Sequence, residues 1–158
     1  MSERFAELAR SYGNAAQIVS ALVAVAALVG IYWQVQTNLL SSRENSAREI
    51  YRAYLQLSVQ NPELAQADIE NLNSTTELAR YGWLVSYLLY TCEQILVDFP
   101  RDPEWRRACL SQMSYHASYI CKSVLGGEIN QYEPVIRDLI LEIAKTSHTA
   151  ECKKAQAA

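Results

Sequence analysis

No charged residue stands between Arg10 and Arg43. A surface helix of a water-soluble domain carries charge along at least one face, so this gap excludes an ordinary amphipathic element there. Strand signals are missing as well: nowhere do apolar and polar residues alternate between hairpin turns, which excludes a sheet-based fold and leaves an all-α one. A dense basic patch is also lacking. Glu3, Arg4, Glu7 and Arg10 cancel one another before the gap, and beyond it 15 acidic residues stand against 12 basic ones. That balance repels nucleic acid, so no nucleic-acid partner is expected.

The four cysteines, Cys92, Cys109, Cys121 and Cys152, form no CxxC pair and have no histidine at metal-ligand spacing, which argues against a zinc site. Their default state is the buried free thiol. Export of the domain would permit disulfides, and Cys152, on a polar stretch, would then be the most easily exposed. Nucleophile elbow, phosphate loop and paired metal ligands are all absent, so neither enzymatic activity nor a cofactor is expected.

What the chain does contain is one long apolar run. Ile18 to Trp33 holds only Ser20 and Gly30 besides apolar or aromatic residues, and residues 15–35 supply 21 positions. Crossing about 30 Å of hydrocarbon at about 1.5 Å per residue needs roughly 20. Tyr12 precedes the run, and Tyr32 and Trp33 close it, where aromatic rings favour the headgroup level. A cleaved signal peptide fits poorly, because the first ten residues mix both charges and Tyr32-Trp33-Gln34 replaces a small-residue cleavage site. A single transmembrane helix over 15–35 is the expectation.

Residues 1–14 read as a short tail in which Phe5, Leu8, Ala9 and Tyr12 recur at helical spacing, fitting either an interfacial helix or an extra turn of the span. Arg4 and Arg10 before the span and Arg43, Arg48 and Arg52 after it tilt the positive-inside count slightly toward a cytoplasmic C-terminal domain. Within the span Ala16, Ser20 and Ala24 recur every fourth residue, and Ala26 pairs with Gly30. Small residues at this spacing let helix backbones approach closely, which is how helices associate in lipid.

Residues 36–147 read as a helical domain, an antiparallel bundle of about four helices. The first runs from about Ser42 to Gln60, with Ala47, Ile50, Tyr51, Tyr54, Leu55 and Ser58 on one face, and could continue the membrane helix. A short helix from Pro62 to about Glu70, capped by Asn61, and a loop over Asn71–Thr75 follow. Ser74-x-x-Glu77 opens the core helix, whose stripe is Tyr81, Leu84, Val85, Leu88, Cys92, Ile95 and Leu96. Asp102-Pro103 starts a helix ending near Val124 at Gly126-Gly127. The last begins near Tyr132 and presents Val135, Ile136, Leu139, Ile140, Ile143 and Ala144. Residues 148–158 read as a flexible tail.

Two readings of function follow. The first is a membrane-anchored, non-enzymatic interaction module, such as an accessory or scaffold subunit, contacting lipid and either another membrane protein or a second copy of itself through the span or the helical domain. The second is a membrane-associated enzyme or small-ligand sensor with a pocket between helices near Glu93, His116 and Tyr119. His116 fits equally well as a core-edge imidazole satisfied by hydrogen bonds.

Overall fold

The computed structural model describes the backbone of residues 2–65, 72 and 74–157, and within that range the side chains of residue 17 and of residues 19–155. Helix α1 runs unbroken over Ser2–Gln60. The apolar run and the helix expected near Ser42 are therefore one element, and the backbone before the run is helical too. No proline or glycine pair interrupts it, and a lone glycine is tolerated inside a helix at about 1 kcal/mol. All residues from Val19 to Ser46 are exposed, and Val19–Gln60 includes a stretch long and apolar enough to cross a membrane. Ser20, Ala24, Ala26 and Gly30 lie on this exposed stretch, and a Cβ added to Gly30 would meet nothing within 4 Å. The side chains of Ala16, Phe5, Leu8, Ala9 and Tyr12 lie outside the described ones. Just past the run the Thr37 hydroxyl donates to the Trp33 carbonyl at 2.9 Å, so this polar group is satisfied within its own helix.

The chain divides after Glu44 into two units. The second holds the end of α1, then α2 (Pro62–Ala65), α3 (Thr75–Asp98), α4 (Pro103–Ser114), α5 (Ala117–Tyr119) leading into a π-helical segment (Ile120–Glu128), α6 (Pro134–Thr146) and α7 (Ala150–Ala157). The fold is all-α, as the sequence predicts. Three of the four prolines open helices, where a missing N–H and a fixed φ cost nothing. Ser74 accepts from the Glu77 amide at 3.1 Å, and Asp102 accepts from the Glu104 and Trp105 amides at 2.8 and 3.2 Å. These two caps form as expected. Asn61 does not cap α2 with its side chain. Its amide nitrogen instead donates to the Leu57 carbonyl at 2.9 Å, closing the end of α1. The expected continuation of α2 beyond residue 65 and most of the loop before Ser74 lie outside the described residues.

Helix α3 is the axis of the core. Its predicted stripe is buried throughout, from Tyr81 to Leu96, and α2, α4 and α6 pack against it. The α6 stripe is buried from Ile136 to Ala144 and only Val135 is partly covered. Leu55, expected inside, is exposed, whereas Leu89 and Met113, on no predicted stripe, are buried.

Two expectations fail in the second half of the unit. The helix from Pro103 does not continue to Val124. It breaks at Tyr115 and His116, whose amides bond back three residues, to Gln112 and Met113. Helical geometry then resumes, widens to the π form and passes through Gly126-Gly127 without a stop. Neither glycine adopts a positive φ, so neither forms the left-handed cap that would end a helix.

The second failure concerns the cysteines and the tail. Cys92 is bonded to Cys109, tying α3 to α4, and Cys121 to Cys152, tying the π segment to α7, with Cα atoms 5.7 and 5.0 Å apart. The free-thiol expectation missed this because the pairing is tertiary: only packing brings partners 17 and 31 residues apart into register. Cys152, expected to be the exposed one, is fully buried, and residues expected to form a flexible tail contain α7, packed against α5, α6 and the π segment. Converting Cys121 and Cys152 together to alanine should lower stability by roughly 2–4 kcal/mol, since a loop closure is lost from the unfolded chain. Thermal melts should show it, and amide exchange should accelerate first in α7.

Candidate functional site

His116, at the break after α4, lies in the core, where it is 1% exposed. Tyr81 on α3 brings its hydroxyl to 2.9 Å from Nδ1, and Tyr54 on α1 brings its own to 3.5 Å from Nε2. Both tyrosines are also 1% exposed. A neutral imidazole has one donor and one acceptor nitrogen, and a phenol can play either part, so this trio closes without a charge. Burial pushes His116 down to about 4 and raises Tyr54 above its ordinary range. Both imidazole nitrogens are engaged, and the group joins three stretches of chain rather than facing solvent.

Tyr119 extends the cluster, its ring standing edge-on to Tyr81 with centroids 5.3 Å apart. The phenol lies across Gly82, where an added Cβ would fall 2.6 Å from its oxygen. Glycine at this helical position thus admits the ring. Burial, then the negative charge of Glu128, raises the Tyr119 hydroxyl.

Glu93 belongs elsewhere. It lies twelve residues beyond Tyr81 on α3, about 18 Å along the axis, and its Oε1 accepts from the Glu133 amide at the start of α6. The carboxylate therefore fills a capping role that Glu133 does not perform with its own side chain. Of the sequence-predicted trio, His116 and Tyr119 share a cluster around Tyr81, whereas Glu93 bonds at the start of α6. Among the described residues no group of His, Cys, Asp and Glu is placed to hold a metal ion.

The concave surface lies on the other flank of α3. A cleft of about 560 Å³ opens between the ends of α1 and α2 and the α3 surface. Leu57, Leu64 and Leu84 form its apolar floor, and Trp83, Tyr87 and Tyr90 stand at its rim, Trp83 being 77% exposed. Its polar end is Asn61 with Arg80, whose Nη2 donates to Asn61 Oδ1 at 2.9 Å and lies 4.0 Å from Glu63. A shallower hollow of about 410 Å³, containing Tyr119 and Glu128, shares Trp83 and Ser86 with it. The sequence reading missed this cleft. Trp83 was the available signal, a large aromatic off the buried stripe of an otherwise core helix.

Comparison with protein-family models, curated proteins and solved structures found no match to the chain.

The His116 geometry has a pH signature. An unfolded chain takes up the proton near pH 6.5 and the folded one only near 4, so the stabilisation is complete above 6.5 and is lost as pH falls toward 4. Between about pH 7 and pH 5 denaturant unfolding should register a loss of about 2 kcal/mol. His116→Gln, which can still bond both tyrosines, should flatten that part of the profile.

Proposed function

We propose that this chain is a membrane-anchored, non-enzymatic interaction module. The α1 segment over residues 15–35 crosses the bilayer, and the disulfide-bonded helical unit is displayed on its oxidising side. The observation that carries this reading is the exposure of α1: eight aliphatic side chains from Val19 to Val35 are each 47% exposed or more. Moving them into hydrocarbon is worth on the order of 10 kcal/mol, at about 1.5–3 kcal/mol per full burial. The helix satisfies its own backbone, as a lipid environment demands.

The side of the membrane follows from two signals that disagree. The arginine count tilts toward the cytoplasm by a margin of a single residue. Against it, all four cysteines are paired, a state maintained in oxidising compartments and rare in reducing ones. The second signal is the stronger, because thiol redox state is imposed by the compartment. The interaction role is supported by Ser20, Ala24, Ala26 and Gly30, which form small-residue spacings on the exposed helix and suit a second helix of this chain or of another membrane protein.

Alkaline extraction of native membranes should leave the full chain in the pellet. Recovery as a soluble monomer without detergent would sink the anchor. Cells quenched in acid and treated with a mass-tagged maleimide should show four tags per chain only after reduction; tagging before reduction would return the domain to the reducing side. Leucine at Ser20, Ala24 and Gly30 together should abolish cross-linking to a partner within the membrane.

A further inference from the structure

We propose that the cleft between the ends of α1 and α2 and the α3 surface binds an anionic single-chain amphiphile, a long-chain carboxylate, with its acyl chain over Leu57, Leu64 and Leu84 and its head on Arg80. This goes beyond the anchoring role and does not depend on it.

The volume of about 560 Å³ lies within the range of about 300–1,000 Å³ typical of small-molecule sites. The lining has the composition such sites have: an apolar floor, aromatic walls and a few polar groups gathered at one end. Most of the Trp83 indole is exposed at the rim, a large apolar surface that an acyl chain would cover.

Charge selects the head group. Among the described residues, Arg80 is the only charged side chain lining this cleft, whereas the adjoining hollow carries Glu128. An anion is drawn to the first and repelled from the second. Among the described residues the contacts of Arg80 with Asn61 and Glu63 both use Nη2. The remaining guanidinium donors can take a carboxylate. The Glu63 contact is 4.0 Å long between side chains that are more than half exposed, so it holds Arg80 weakly and yields readily to a better-placed anion. One cation with a carboxylate nearby favours a monoanion over a phosphate monoester of about −1.5 to −2.

The test uses the full chain in amphipol, without lipid, titrated with a brominated long-chain fatty acid whose bromine quenches indole fluorescence. Quenching should saturate at one ligand per chain, and the saturable part should vanish in Trp83→Phe, which leaves Trp33 and Trp105 in place. The methyl ester of the same acid, on the unaltered protein, should bind roughly three- to tenfold more weakly, and Arg80→Gln should weaken the acid by a similar factor. Quenching that never saturates, or that persists unchanged in Trp83→Phe, would put the acyl chain on α1 or in the amphipol and overturn the proposal. Equal affinity for acid and ester would overturn it too, and that arm needs no variant.

Discussion

Apolar surface that a chain cannot cover with itself must be covered by something else, and in this protein that demand falls on one helix. The second unit meets most of it internally: the α3 and α6 stripes bury each other, α4, the π segment and α7 pack around them, and Trp83 and Tyr90 stay exposed. The stretch of α1 from Val19 to Ser46 has no residue below the exposed range. Its charges begin only at Arg43, and it includes a stretch long and apolar enough to cross a membrane. That combination is what motivates the anchored reading.

Inside the second unit, two kinds of fastening supplement the apolar core. The disulfides act at separations of 17 and 31 residues and hold α4 and α7 to elements that precede them. The Tyr54, His116 and Tyr81 cluster acts across α1, the break after α4, and α3. A polar trio in a core is stabilising only when every member is bonded, and here each hydroxyl faces an imidazole nitrogen. His116 sits where α4 ends, at the point where the backbone amides of Tyr115 and His116 bond back three residues.

Much of the architecture could be read from residue order because it rests on local rules. Periodicity marked the α3 and α6 faces, and Ser74, Asp102 and Pro103 marked helix starts. What escaped was tertiary. Nothing in the spacing of Cys121 and Cys152 says that α7 folds back, and glycine pairs often end helices, so Gly126-Gly127 misled. His116 was recognised as a satisfied core-edge imidazole or a pocket residue, and the structure favours the former. Glu93 could not be assigned, since its partner is a backbone amide forty residues away. The cleft escaped because it is assembled from three helices, none of which announces a cavity alone.

The two sulfur bridges also change what a cut in the backbone means. One closes a ring around the turn between α3 and α4, and the other closes a ring from residue 121 to 152 that contains the exposed glycines and all of α6. A peptidase nicking the chain inside either ring would sever a peptide bond without releasing a fragment. Cut once in the larger ring, the molecule would persist as two polypeptides joined through sulfur, its interior still assembled. A domain crosslinked in this way would thereby tolerate a peptidase cut that would dismantle an uncrosslinked bundle.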